Sequence, residues 1–337
     1  MTPKVSVIVP CYNEQATIGL LLDALYAQTF PRSEMEVIIA DGLSTDNTRS
    51  VIAEWTREHP DLAVRVVDNP RRIIPAGLNR AIAAARGEFI VRLDGHSVPA
   101  PDYIERSIAA LEQGLGANVG GVWEITPSGK SWIARSIAAA ASHPLGVGDA
   151  RYRYASSAGE VDTVPFGAFR RSLIEQIGAF DESLLANEDY EFNVRVRAAG
   201  GKVWLDPAIR SRYFARPTLT ALAKQYWRYG FWKAKMLRRY PKTIRWRQAL
   251  PPLFVLALLA LPVIGVFWKP ALWLWVAQVV IYALALALAG LQMALKRRDL
   301  ALAIGAPLAI ATMHLSWGSG VLAGLLIPAP QNPSSAT

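Results

Sequence analysis

The sequence predicts an α/β fold, a mostly parallel sheet with helices on both faces, followed by a C-terminal α-helical transmembrane segment. Two observations carry the first half. β-branched runs such as VSVIVP and MEVIIA alternate with stretches of helical periodicity, and the runs end in polar residues. A third observation carries the rest: from Ala249 onward only Lys269, Lys296, Arg297, Arg298 and Asp299 are charged, in a chain that is 52% hydrophobic.

VSVIVP reads as the first strand, its apolar core too short for a signal peptide. In the stretch from Gln15 to Gln28 that follows, Ile18, Leu21, Leu22 and Leu25 recur at spacings of three and four, which predicts an amphipathic helix. MEVIIA is the second strand, and DGLSTDNT opens a helix over Arg49 to Glu58. VRVVD, PAGLNRAIAAA and EFIVRLD supply a third strand, a third helix and a fourth strand. Sheets of this kind bind ligands at the carboxyl ends of their strands. Those ends are Pro10 to Glu14, Asp41 and Gly42, Asp68 to Arg72, and Asp94 to His96. Neither G-x-G-x-x-G nor a Walker A loop follows the first strand, so side chains rather than a glycine-rich cradle hold the ligand.

Gly120 to Pro217 is less periodic. TVPFGAFRRSLIEQIGAF reads as a strand, a turn around Gly167 and a helix from about Arg171. In NEDYEFNVRVRAAGG, Asn187 is a candidate N-cap and Gly200 a C-terminal stop, with Phe192, Val196 and Ala199 as the buried face. Glu188 and Asp189 then fall in the first turn, where the helix dipole stabilises negative charge. Acids are ordinary there, so position alone assigns them no function. In RLDGHS, Asp94 and His96 flank a glycine, and the residues by themselves fit either a turn or a shared cation site.

Three uncharged runs, Ala249 to Trp268, Ala271 to Leu295 and Leu300 to Ile327, each reach the roughly 20 residues that a helix needs to cross the hydrocarbon core. Gly305, Pro307, His314 and Ser316 interrupt the third. Basic residues crowd before the first run and after the second, which by the positive-inside rule puts the N-terminal domain in the cytoplasm and the C-terminus outside. Between Thr218 and Arg247, Tyr226, Trp227, Tyr229, Phe231, Trp232 and Tyr240 interleave with nine basic residues, a mixture suited to the headgroup layer. The expected organisation is a cytoplasmic α/β domain over 1–217, interfacial helices over 218–248, about three membrane helices over 249–328 and a disordered tail over 329–337. The net charge of +9 is local: no acidic residue occurs between Asp206 and Asp299, so anionic lipid rather than nucleic acid is the expected partner. Cys11 is the only cysteine, which excludes an internal disulfide and a cysteine-rich zinc site.

VSVIVPCYNE, ADGLSTDNT, GLNRAIAAARGEFIVRLDGHS, GAFRRS, NEDYEFNVRVRAAG and QYWRYG, in this order over residues 3 to 240, resemble the family 2 glycosyltransferases of GT-A fold. The resemblance is closest to the membrane-anchored, exopolysaccharide-building branch typified by succinoglycan-type glucosyltransferases. It implies that Pro10, Tyr12, Glu14 and Asp41 hold the nucleotide, with Arg72 a further contact. It also implies that Asp94 and His96 stand where the family's D-x-D binds a divalent cation on the donor diphosphate. Glu188 and Asp189 match its E-D pair, Asp189 being the base. QYWRYG is similar to the Q-x-x-R-W motif of processive synthases, matching at Gln225 and Arg228 with Tyr229 in place of Trp.

The chemistry suits these residue types. An acceptor hydroxyl attacking the anomeric carbon in line with the departing diphosphate inverts configuration. The leaving group's charge calls for a cation and Arg228, and the hydroxyl's proton calls for a carboxylate. The implied activity is transfer of a sugar, glucose from UDP-glucose in the first instance, to a hydroxyl of a polyprenyl-diphosphate-linked saccharide at the inner membrane face. The cation is Mn²⁺ or Mg²⁺, and an imidazole ligand at His96 would favour Mn²⁺. Three alternatives stay open at this point: a polyprenyl-monophosphate sugar synthase, a processive polysaccharide synthase, and a non-catalytic membrane scaffold that borrows the fold.

Overall fold

The computed structural model describes residues 2–328, so the expected tail over 329–337 lies outside the described residues. The chain divides into two compact units, one holding residues 2–124 and 154–213, the other residues 125–153 and 214–328.

The chain opens with β1 (Val5–Cys11), α1 (Ile18–Tyr26), β2 (Met35–Asp41), α2 (Thr48–Glu58), β3 (Ala63–Asp68) and α3 (Ile74–Ala84). β4 (Phe89–Arg92), β5 (Val98–Pro99), α4 (Tyr103–Glu112) and β6 (Asn118–Pro127) follow. After α5 (Trp132–Ala141) and α6 (Pro144–Val147) of the second unit, it returns through β7 (Gly159–Glu160), β8 (Ala168–Arg170), α7 (Ser172–Ile177), α8 (Glu188–Ala198) and β9 (Val203–Ala215).

β1 and β2 are buried on both faces, as the apolar runs predict. Because successive side chains alternate across a strand, Val5, Val7, Val9, Val37 and Ile39 share a core with Leu21 and Leu25 of α1, Ile52 of α2 and Ile104 of α4. α3 covers the other face: a Cβ on Gly77 would lie 3.4 Å from Pro10 Cβ and 3.6 Å from Ala40 Cβ. Each such fully buried Leu or Ile stabilises the fold by about 1.5–3 kcal/mol.

The strand order is β3-β2-β1-β4-β8-β6-β9-β5, with β7 on β9. β3, β2, β1 and β4 are parallel. Beyond them the sheet is mixed: β8 is antiparallel to both β4 and β6, and β9 is antiparallel to β5 and β7. The strand expected before Gly167 lies after it. Phe166 and Gly167 both have positive φ (62° and 93°), so the chain turns there and pairs with β4 only from Ala168.

α8 starts and stops where its sequence predicts, Asn187 preceding it and Gly200 following with φ of 81°. Asn187 nevertheless makes no side-chain cap; it turns the chain in the left-handed region. Phe192 and Val196 are buried as expected, but Ala199 is exposed. The buried set continues round the helix through Glu191 and Asn193, because Arg195 pairs with Glu191 at 2.8 Å and Asn193 bonds Asn118 at 2.7 Å and Thr163 at 3.0 Å.

A polar cluster lies under the strand starts. The Glu36 carboxylate, fully buried, accepts from Ser6 Oγ and Arg86 N, both at 2.7 Å, and from the Arg65 and Arg86 guanidinium groups, each at 3.0 Å. Burial alone would raise its pKa; the Ser6 and Arg86 hydrogen bonds outweigh that and hold it below the usual carboxylate range.

In the second unit, α9 (Leu219–Arg239) opens with Thr218 Oγ1 accepting from Ala221 N at 3.2 Å. α10 (Trp246–Phe267), α11 (Pro270–Arg297) and α12 (Leu302–Leu326) are each long and apolar enough to cross a membrane. α10 and α11 form an antiparallel hairpin, with Trp275 Nε1 donating to Leu258 O and Gln278 Nε2 to Phe254 O, both at 3.1 Å. α9 packs along α12 through glycines: a Cβ would meet backbone oxygen within 2.5 Å at Gly230, Gly320 and Gly324. Lys235, on the same seam, donates to Gly324 O at 2.6 Å and is buried, as is Lys233.

Replacing Glu36 with Ala strips two arginines and a buried serine of their common acceptor. The expected loss is about 1–3 kcal/mol, measured as thermal unfolding of the full chain in detergent. Because the folded-state pKa of Glu36 is depressed, its stabilisation is present above the unfolded pKa and fades as pH falls through the folded one; the gap between wild type and Glu36→Ala should therefore narrow in acid.

Candidate active site

Strand order places a switch point beside β1, whose neighbours β2 and β4 lie on opposite sides, so the crevice at their carboxyl ends is where a ligand is expected. The loops that follow β1 and β4 touch. His96 Nδ1 lies 2.9 Å from Glu14 Oε1, and Thr17 Oγ1 donates to the other Glu14 oxygen. A Cβ on Gly95 would stand 3.1 Å from Glu14 Cγ, so the glycine is what lets the loops approach.

The β1 loop is also stitched to the β2 loop. Asn13, with φ of 54°, donates its N–H to Ser44 Oγ at 2.9 Å and accepts from Thr45 N at 2.8 Å; Glu14 N donates to Thr48 Oγ1 at 2.8 Å. Asp41, completely buried, accepts from Ser44 N at 3.0 Å and pairs with Arg49 Nε at 2.5 Å, while Arg49 Nη2 reaches Asp68 at 2.5 Å. Asp41 is therefore already bonded within the chain. Pro10 is buried beneath this loop in β1. Tyr12 is exposed, and the Arg72 guanidinium lies 6.0 Å from its ring centroid; a base stacked on Tyr12 would have a cation beside it.

At the end of β4 stands Arg92, 3% exposed, which donates from Nη2 to Glu188 at 2.9 Å and lies 3.4 Å from Asp94 Oδ1. Its Nε and Nη1 have no hydrogen-bond partner among the described residues. Burial works against its charge, and Asp94, Glu188 and Asp189 more than offset this, so the guanidinium stays protonated. The same cluster tunes Asp189. Burial and the neighbouring Glu188 push its carboxyl up to about 6, against the opposing pull of Arg92 and of the Tyr190 N–H, which donates to it at 2.8 Å. A carboxylate in that range is ionised at neutral pH and basic enough to receive a proton.

Among the described residues, no three His, Cys, Asp or Glu side chains converge as a ready cation site. Asp94 and His96 can still fit one. Mg²⁺ and Mn²⁺ at diphosphates take one or two protein ligands and complete their shell with phosphate oxygens and water, and a histidine held by a carboxylate through one ring nitrogen is oriented to ligate through the other. The buried thiol of Cys11, pushed up to about 12 by burial and by Asp41 and Glu14, has no such role.

Asp94, Glu188 and Asp189 are thus brought together, and Glu14 is joined to His96. Gln225 and Arg228 lie on α9 in the second unit, where Gln225 Nε2 donates to Tyr229 Oη at 3.0 Å. Sequence reasoning missed Arg92, Ser44 and Arg49. The available signal for Arg92 was a cation at the end of an apolar strand beside an acid.

Residues 6–178 match the family described as glycosyl transferase family 2. The chain is 31% identical to the succinoglycan biosynthesis protein ExoA of Rhizobium meliloti, over 95% of this chain and 94% of that protein. The chain belongs to glycosyltransferase family 2. This glycosyltransferase is also 27% identical, over 96% of its length and 97% of the relative's, to the dolichyl N-acetyl-α-D-glucosaminyl phosphate 3-β-D-2,3-diacetamido-2,3-dideoxy-β-D-glucuronosyltransferase of Methanococcus voltae. Its fold is shared with the mannosyltransferase PcManGT of Pyrobaculum calidifontis, solved with GDP-Man and Mn²⁺, at a TM-score of 0.62 and 24% identity over 96% of this chain and 88% of that one.

Opposite charge changes around Asp189 should move the acid limb of kcat/KM in opposite directions. Arg92→Gln removes a charge that lowers the Asp189 pKa and should shift the limb upward by about one pH unit, whereas Glu188→Gln should shift it downward by a similar amount. A pH profile of the two variants beside wild type checks both signs.

Proposed function

We propose that this glycosyltransferase moves a sugar, glucose in the first instance, from a UDP-sugar to a hydroxyl of a polyprenyl-diphosphate-linked saccharide, in exopolysaccharide or other cell-surface glycan synthesis at the inner membrane face. The observation that carries the reading is the Arg92 cluster, in which one buried cation holds the carboxylate suited to the donor diphosphate, Asp94, together with the pair suited to the acceptor, Glu188 and Asp189. The Methanococcus relative, named for transfer to a dolichyl-linked saccharide phosphate, supports the lipid-linked acceptor, and the helices of the second unit that could cross a membrane support a site at its surface.

In this mechanism Tyr12 and Arg72 receive the nucleotide beside Asp41, and Pro10 backs it. Asp94 and His96 would hold a divalent cation, which supplies charge neutralisation for the leaving diphosphate; Glu14 fixes the His96 ring. Asp189 takes the acceptor hydroxyl's proton as the oxygen bonds to the anomeric carbon and the bond to diphosphate breaks, and Glu188 orients Asp189 or the acceptor. Gln225 and Arg228 are assigned to the donor and to the charge of the leaving group respectively.

Membranes carrying the protein, given labelled nucleotide-sugars and a lipid extract, should transfer label to lipid. Asp189→Asn should lower kcat by about 10²–10⁴ with donor affinity retained; equal transfer to a lipid-free saccharide would overturn the acceptor assignment. His96→Ala should erase a preference for Mn²⁺ over Mg²⁺, measured as the ratio of rates with each ion. An unchanged ratio would leave Asp94 as the sole protein ligand.

A further inference from the structure

A helix of α12's length, about 37 Å at 1.5 Å per residue, could span a bilayer. Its neighbours bear on whether it does. The α10–α11 hairpin defines two sides: a far turn at Trp268 and Lys269, and a near side where α10 begins and α11 ends. One stretch of the second unit ties both near ends. Arg245, just before α10, pairs with Asp149 at 2.5 Å, and Arg297, at the end of α11, donates to Ser142 Oγ at 2.9 Å.

α12 touches this same near-side material along its whole course. At its start, Asp299 pairs with Arg135 of α5 at 2.8 Å, and Gly305 packs on Ser136. At its middle, His314 Nε2 lies 2.8 Å from Leu145 O, and Met313 contacts Gly146 of α6. Past the middle, Gly318 abuts Pro251 in the first turns of α10. At its end, Lys235 Nζ donates to Gly324 O at 2.6 Å and also to Ile327 O, and Arg238 donates to Leu325 O at 2.6 Å. Lys235 and Arg238 belong to α9, which precedes α10.

A crossing helix would carry its last turn about 30 Å from its first, to the side of Lys269. The last turn of α12 is instead capped by cations that lie before the first span. Among its uncovered apolar side chains, Ile304, Leu308, Leu315 and Leu326 are spaced as a stripe on a single helix face, with the exposed Leu325 beside it in the last turn. We propose that α12 does not cross the bilayer but lies within the leaflet on the near side, across the base of the α10–α11 hairpin, with this stripe against acyl chains. The chain then has two spans, and residue 328 is on the side where α10 begins.

Single cysteines in the full-length protein test this, since the native Cys11 is buried and serves as the labelling blank. In right-side-out and inverted membrane vesicles, a membrane-impermeant maleimide should modify Leu300→Cys and Pro328→Cys from one face and Lys269→Cys from the other, each normalised to its labelling in detergent. Modification of Pro328→Cys from the Lys269 face would overturn the proposal. Nitroxides at Ile304→Cys, Leu308→Cys, Leu315→Cys and Leu326→Cys read the helix itself. One shared shallow depth is expected, and a series passing through the bilayer centre would overturn it even if a labelling variant misfolded.

Discussion

A guanidinium with 3% of its surface exposed cannot remain charged without negative partners. Asp94, Glu188 and Asp189 are those partners for Arg92. Because Arg92 ends β4 and the acids of the pair begin α8, the electrostatic requirement also joins two elements ninety-odd residues apart in sequence. Asp94, after β4, and the acidic pair at the start of α8 are held in register by that one requirement. Arg92 Nε and Nη1 have no partner among the described residues, so the cation's hydrogen-bonding capacity is not exhausted by them.

The parallel half of the sheet was legible because both-face burial writes itself as continuous apolar runs and each helix between them keeps its periodicity. The four strand ends were legible for the same reason. β5, β7 and β8 are two or three residues long, too short for any alternation to show, and the turn at Phe166 and Gly167 depends on backbone angles that composition does not reveal. Within the site, Glu188 and Asp189 could be read from sequence, but Arg92 could not be assigned, since its partner Glu188 lies far along the chain. Asp41 was placed at a strand end from sequence; that Ser44 and Arg49 bond its carboxylate follows only from the fold. α8 misled for a physical reason: Glu191 and Asn193 are buried because they are paired, so the helix lacks the one-sided pattern that identified its buried face.

The membrane half illustrates a different limit. Composition measures whether a segment tolerates lipid, and length measures whether it could reach across; neither says which neighbours it touches. α10, α11 and α12 all pass both criteria, though α12 is markedly the least hydrophobic, and α12 is lined by glycines and alanines where α9 and α5 meet it, whereas α10 and α11 are joined as an antiparallel pair. Small residues on a long apolar helix mark close backbone approach, so the glycines of α12 report its packing better than its hydrophobicity does.

The seam between α9 and α12 also has a consequence in time. At roughly 5–20 residues per second, α12 leaves the ribosome several seconds after α9. Through that interval Gly230 and Lys235 have no α12 to pack against, and the helix carrying Gln225 and Arg228 awaits its companion. Completion of this region therefore waits on the translation of α12.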